Sequence, residues 1–335
     1  MFSFIADWNP LLAVVALLVG FVFLVKGADF FVEGSSSVAK RFHVPSIIIG
    51  LTIVAMGTSL PEAAVSISAS MQNANSLAIS NAVGSNIFNM MVVIGVCAVL
   101  TPVAVQKQTL VKDFPFSVVC ALVLLGLDVW GMTLGRVDGI VLLVLFAVFI
   151  GVLIRQALKA SKSGKAQANE SIEAAEEIEV LPMWKNILFI VGGGAAIALG
   201  GDVVVESSRN IAVACGMSET LVGLTIVSIG TSLPELVTSF VAAKKNEVDM
   251  ALGNAIGSNV FNILFVLGLA AAISPIEFIT ENIIDIVILC AFSLVVWLMA
   301  WTKRRLDKGE GLIMVLLYAA YVAYIIMRNY HVLGL

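Results

Sequence analysis

Long apolar runs dominate this chain, near residues 11–31, 44–70, 77–100, 114–133, 139–156, 186–206, 219–243, 250–273, 283–302 and 311–328. As a helix each can cross about 30 Å of hydrocarbon, so the pattern predicts an all-α integral membrane protein with ten spans. Strands of a membrane barrel would instead alternate apolar and polar residues over short segments. The fourth run carries Asp128 near its end, and the fifth is expected to be a short span. One sizeable polar segment interrupts the series, and its ESIEAAEEIEV stretch reads as a solvated linker able to form a short acidic helix at the membrane surface. The expected organisation is a first five-helix unit at 1–156, a cytoplasmic linker at 157–183 and a second five-helix unit at 184–335.

Composition removes the soluble alternative. Of 335 residues, 60% are hydrophobic and 13% charged, with a mean hydropathy of +1.03, too apolar for a water-facing exterior. The charges add orientation. Along a ten-helix path, fifteen of the 19 Lys and Arg residues, among them Lys40, Arg41, Lys244 and Lys245, fall on one face. Arg136, Arg209 and Arg328 fall on the other, and Lys26 lies within the first span. The basic majority marks the cytoplasmic face, which puts both termini outside a prokaryotic plasma membrane. Trp8 and Trp130 then fall near the outer boundary, Trp184 and Trp301 near the inner one. The first run lacks the basic start and small-residue cleavage site of a secretory signal and is expected to be retained. Cys97, Cys120, Cys215 and Cys290 lack metal-ligand spacing and are expected only to pack. The net charge of −4 lies largely in the linker. No nucleic-acid partner is expected, and the chain is expected to act as a monomer in the bilayer.

A shift of 173 residues superimposes 51–95 on 224–268 without a gap, with 23 of 45 positions identical. The same offset carries Asp29 onto Asp202, Glu33 onto Glu206 and Pro102 onto Pro275. Five spans separate equivalent points, an odd number, so the second unit enters the membrane from the opposite side. Inverted repeats of this kind place substrate at the bilayer midplane beside interrupted helices and support alternating access.

The repeated GTSLPE supplies the interruption. Pro61 cannot donate to the carbonyl of Gly57 and its ring crowds it, so the second span is expected to break around 57–60, freeing carbonyls from about Ala55 to Gly57. Pro234 and Gly230 repeat the device, freeing carbonyls near Ser228. After the break, Thr58, Glu62 and Ser66 are expected on one face, as are Thr231, Glu235 and Ser239. A carboxylate near the bilayer centre costs about 2.5 to 3.5 kcal/mol, so two at matched positions imply a cation between them. The NAVGSNIFN and NAIGSNVFN segments add Asn81, Ser85 and Asn89, and Asn254, Ser258 and Asn262, at spacing four. For each of these, hydrogen bonding between helices is the competing role. Carboxylates, hydroxyls, amide oxygens and free carbonyls, without thiolate or imidazole, suit a hard cation such as Ca²⁺, and two glutamates neutralise one Ca²⁺ or two Na⁺. Asp29, Glu33, Asp202 and Glu206 fall near helix ends, where pairing, for instance of Asp29 with Lys26, competes with a role as cation-attracting mouths.

These motifs resemble the two alpha repeats of the cation/calcium exchanger superfamily, in particular its prokaryotic sodium/calcium antiporters. The resemblance covers nearly the whole ten-helix plan and is most specific at GTSLPE with GSNIFN or GSNVFN. It implies two inverted five-helix repeats with helices 2 and 7 broken, no tightly bound cofactor, and Ca²⁺ and Na⁺ as transported substrates. It also implies that Glu62 and Glu235 ligate Ca²⁺ and help hold Na⁺. Thr58, Ser59, Thr231, Ser232, Ser85 and Ser258 match the family's hydroxyl ligands, Ala55 and Ser228 its carbonyl ligands, and Asn89 and Asn262 its central position. Some relatives carry aspartate where this chain has Asn262. Several Na⁺ would exchange for one Ca²⁺ as the first and sixth helices slide across the rest. The long regulatory loop of animal exchangers is absent.

A proton-coupled Ca²⁺ exchanger is the nearest rival, because a desolvated carboxylate that loses its cation can take up a proton. A passive channel would need a continuous pore, which broken helices in an inverted pair disfavour. An intramembrane enzyme lacks a base: neither His43 nor His331 lies mid-membrane beside Ser59 or Ser232, and HExxH is absent.

Overall fold

The computed structural model describes residues 9–72, 75–131, 133–163, 180–215 and 228–329. Helix α1 spans Pro10–Phe42, α2 Ser46–Thr58, α3 Leu60–Met71, α4 75–100, α5 109–131 and α6 Arg136–Ser163. After the linker, α7 spans Met183–Ala214, a single turn Ser228–Gly230 precedes α8 at Leu233–Lys244, and α9 spans Val248–Ile273, α10 Thr280–Lys303 and α11 Lys308–Asn329. Eight of the described helices are long and apolar enough to cross a membrane, and α2 with α3, bent by 49°, makes a ninth such span. The run expected at 219–243 is described only from Ser228 onward. Trp8, the side chains of Asp128 and Trp130, Lys165, the acidic stretch 170–179 and His331 lie outside the described residues.

Two helices are much longer than their apolar runs. The 33 residues of α1 and the 32 of α7 exceed the expected 11–31 and 186–206, because hydropathy falls where small polar residues begin while the helix continues. In α1 these are Gly34, Ser35, Ser36 and Ser37, and the three serines are buried. Asp29 and Glu33 therefore lie inside α1 and not near its end. The helix stops at His43, whose left-handed conformation (φ 54°) lets its amide donate to the Ala39 and Lys40 carbonyls. The fifth span is likewise long, 28 residues, and takes the first part of the expected linker into α6. Leu181 then ties the returning chain to α1: its amide donates to Ser37 Oγ at 2.9 Å, and its carbonyl accepts from Arg41 at 3.4 Å.

α1 and α7 touch backbone to backbone. Gly20, Gly27 and Gly34 recur every seven residues on α1, opposite Gly193 and Gly200 on α7. A Cβ on Gly27 would lie 2.9 Å from the Gly193 carbonyl oxygen, and one on Gly200 2.8 Å from that of Gly20. Small residues permit this close approach where no hydrophobic driving force separates helix from lipid.

α4 and α9 form the centre, with 72% and 78% of their most apolar windows buried, against 22% for α6 and 17% for α11. The outer helices present exposed apolar side chains such as Leu11, Leu18, Val137 and Val191, which suits contact with hydrocarbon. Two short antiparallel pairs tie distant loops together. Strand β1 (Val103–Ala104) pairs with β4 (Arg305–Leu306), and β2 (Thr133–Leu134) pairs with β3 (Ile276–Glu277). Each clasp joins a loop of the first half to one of the second. Cys97 and Cys120 pack as expected, whereas Cys215, at the end of α7, is exposed.

Candidate cation site

The break in the second span falls at Ser59, with φ −86° and ψ 10°, and its counterpart Ser232 adopts φ −92° and ψ 5°. Proline sits at the second position of the following helix in both cases, where its missing N–H costs nothing. Two expectations need correction. Thr58 ends α2 and so precedes the break, while Glu62 and Ser66 follow it on α3. The Ala55 carbonyl keeps its helical partner, the Ser59 amide at 3.0 Å, because proline stands at 61 and deprives only Gly57 of a donor. The tighter second copy has the Ser232 amide donating to Ile229 at 3.1 Å. Ser228 begins the turn before that break, and its side chain lies outside the described residues.

Each break delivers its serine to the other half's glutamate. Ser59 Oγ donates to Glu235 Oε1 at 2.6 Å, and Ser232 Oγ donates to Glu62 Oε1 at 3.0 Å. Both glutamates are fully buried, as are Ser59 and Ser232. Ser85 Oγ lies 2.9 Å from Ser232 Oγ and beside the Glu62 carboxylate, while Thr58 and Ser258 lie beside that of Glu235. Ser258 Oγ also reaches the Ala55 carbonyl at 3.5 Å. Glu62 Oε2 and Glu235 Oε2 have no hydrogen-bond partner among the described residues. A buried carboxylate oxygen in that condition is an acceptor for a ligand, since leaving it bare costs more than a typical hydrogen bond returns.

The asparagines divide between scaffold and site. Asn81 Nδ2 donates to Ser66 Oγ and to the Glu62 carbonyl (2.9 and 3.2 Å), and Asn254 does the same with Ser239 and Glu235 (2.9 and 3.4 Å). These pin α4 to α3 and α9 to α8. Asn86 and Asn259, which the spacing-four stripes pass over, exchange side-chain to backbone bonds at 3.2 Å in both directions and lock α4 to α9. Their repetition at offset 173 inside GSN was the available signal. Asn89 and Asn262 are fully buried, and each opens a wide π-helical stretch, Asn89–Val93 and Asn262–Leu267. Asn262 Nδ2 donates to Asn86 Oδ1 at 3.1 Å. The Oδ1 atoms of Asn89, Asn259 and Asn262 have no partner among the described residues.

Thr231 is half-buried, lies 3.4 Å from Asn81 Oδ1 and lines a cavity of about 650 Å³. Pro61, Gly201, Asp202, Glu206, Gly230 and Pro234 share that wall, so the cavity ends one residue from Glu62, Ser232 and Glu235 in the chain. The corresponding acids on α1 are engaged differently. Lys245 Nζ lies 2.6 Å from Asp29 Oδ1 and 3.7 Å from Glu33 Oε2, whereas Lys26, the partner expected from sequence, lies 4.0 Å from Asp29. No group of three His, Cys, Asp or Glu that could hold a metal occurs among the described residues. The acceptors gathered here are two carboxylates and neutral oxygens, the donor set of a hard, weakly held cation.

A family model described as sodium/calcium exchanger protein matches residues 12–155 and 185–327. The chain belongs to that family. This exchanger is 37% identical over 322 residues to the putative antiporter CaxA of Alkalimonas amylolytica, covering 93% of this chain and 98% of the relative. It is 32% identical over 336 residues to the sodium/calcium exchanger MaX1 of Methanosarcina acetivorans, covering 91% and 96%. A solved structure of the sodium-calcium exchanger NCX_Mj, soaked with 10 mM Na⁺ and zero Ca²⁺, superposes with a TM-score of 0.80 at 30% identity, covering 94% of this chain and 99% of that one. The exchanger is thus a multi-pass membrane antiporter of the cation/Ca²⁺ class and not an enzyme.

Proposed function

We propose that the chain couples Na⁺ entry to Ca²⁺ movement at a site between two inverted five-helix repeats, 1–156 and 184–335, joined by the cytoplasmic linker 157–183. The ten-span plan has helices 2 and 7 broken and both termini outside a prokaryotic plasma membrane. Glu62 and Glu235 are the charged ligands, each held by the serine of the opposite half. Thr58, Ser59, Thr231, Ser232, Ser85 and Ser258, the Asn89 and Asn262 amides and the Ala55 and Ser228 carbonyls supply neutral oxygens. The observation that carries this reading is the crossed pair Ser59–Glu235 and Ser232–Glu62, which ties each buried acid to the break of the opposite half and leaves one oxygen of each without a partner among the described residues. Two charges match one Ca²⁺ or two Na⁺, so the site takes either load, and competition between them gives exchange by alternating access.

Purified protein in liposomes tests it. A Na⁺ gradient at constant pH should drive ⁴⁵Ca uptake, and a pH gradient without Na⁺ should not. The reverse outcome assigns the coupling to protons, which two desolvated carboxylates also accommodate. Uptake that needs no counter-ion on the opposite side would instead mark a channel.

A further inference from the structure

Apart from Pro61 and Pro234, which are each other's counterparts and both line the open cavity, the offset of 173 pairs the cavity residues with residues on the other side of the site, and the two sets differ in packing. Val65, Val205 and Thr231, on the cavity, are half-buried, and Ala64 and Ser68 are exposed. Their counterparts Thr238, Val32 and Thr58 are buried to 1% exposure or less, and Val241, the counterpart of Ser68, to 8%. α1 packs along α8, whereas α7 makes no comparable contact with α3. One mouth is therefore open and the other shut. The acids at the two mouths are equivalent, Asp202 and Glu206 against Asp29 and Glu33. One difference lies at the end of the neighbouring broken helix: Gln72 lines the open side, and Lys245 stands at the matching position on the shut side. Gln72 is exposed and bonds within its own helix, to Ser68 Oγ at 3.1 Å. Lys245 instead spans from α8 to α1, reaching Asp29 Oδ1, Glu33 Oε2 and the Asp29 carbonyl oxygen at 3.0 Å.

We propose that Lys245 is a latch that biases which mouth opens: its ammonium occupies the acidic pair of one mouth, helps hold α1 against α8, and must leave before that mouth admits a cation. The Lys245 mouth lies on the face carrying the basic majority, so the latch favours the conformation open to the outside. Opening it would leave Asp29 and Glu33 lining a cytoplasmic cavity, as Asp202 and Glu206 line the cavity on the open side. The buried Thr238 hydroxyl, which has no partner among the described residues, lies three residues beyond Glu235, on the strip whose first-half equivalent, Val65, lines the open side. This inference rests on the alternating-access reading. The three charged side chains are 33 to 43% exposed, so each ion pair shifts the equilibrium only about two- to fivefold.

The test uses full-length protein in lipid nanodiscs without Na⁺ or Ca²⁺, with Cys215→Ser and one reporter, Val65→Cys or Thr238→Cys. A charged, membrane-impermeant thiol reagent then reads each mouth. With Lys245 present, Val65→Cys should react fast and Thr238→Cys slowly. Lys245→Gln should raise the Thr238→Cys rate about two- to fivefold and slow Val65→Cys, while Lys245→Arg should change neither. The mirror variant Gln72→Lys should slow Val65→Cys in a protein whose Lys245 is intact. An unchanged Thr238→Cys rate in Lys245→Gln, or the same rise in Lys245→Arg, overturns the latch. No ion moves in this assay, so a failure of Na⁺-coupled uptake is seen separately.

Discussion

Around Glu62 and Glu235 the two halves of the chain do the same thing, whereas around Gln72 and Lys245 they do opposite things. At the centre, break geometry, serine donor and asparagine brace are copied from one half to the other to within a few degrees and a few tenths of an ångström. At the mouths, Gln72 shares a cavity wall with Asp202 and Glu206 on one side, whereas on the other Lys245, at the matching position, pairs with Asp29 and Glu33. Under the proposed alternating access, matched halves would serve an ion bound from either face, and unmatched mouths a molecule open on one face at a time.

The largest effects should come from the matched centre. Glu62→Gln and Glu235→Gln should each lower ⁴⁵Ca exchange by about 100-fold or more with the protein still inserted, since removing one carboxylate leaves half the charge of a buried Ca²⁺ uncompensated. Near-normal exchange in either variant defeats the proposed site. Next, Ser59→Ala and Ser232→Ala should each raise the half-saturating Ca²⁺ about tenfold or more, because a hydrogen bond to a charged acceptor contributes about 1.5 to 3 kcal/mol. Ser232→Ala should exceed Ser59→Ala, since Ser232 also contacts Ser85; Ca²⁺ titration of initial rates checks the order.

Smaller effects test the scaffold. Asn86→Ala should lose more stability than Asn259→Ala, by about 1 kcal/mol, because Asn86 Oδ1 also accepts from Asn262. Thermal unfolding in detergent measures the difference, and equal losses would mean that the Asn262 bond contributes nothing. The Lys245→Gln shift in mouth accessibility is the smallest of the set.

Much of the candidate site was legible in the chain because its signals are local. A proline four residues after a glycine breaks a helix wherever it stands, and an acid in an apolar run carries its cost with it. Two readings failed for equally local reasons. Ala55 was expected to lose its amide partner, but the proline lies six residues on and not four. The ends of α1, α6 and α7 were missed because helices continue through small or polar residues that neighbours bury, and hydropathy does not register that. Lys26 does pair with Asp29, at 4.0 Å, as proximity in the chain suggests, but Lys245, 216 residues away, comes closer, at 2.6 Å, and spacing along the chain gives no sign of it.

By itself the sequence determined that the chain lives in a bilayer, that two segments repeat with matched acids, and that each acid follows a helix break. These follow from composition, repetition and backbone chemistry, which need no partner. Only the tertiary structure decided that each serine serves the opposite half's glutamate, that Asn86 and Asn259 lock the central helices together, and that Lys245 of one half pairs with Asp29 of the other. Those depend on which helices lie side by side, and contacts between residues 170 or more positions apart are set by packing, not by spacing along the chain.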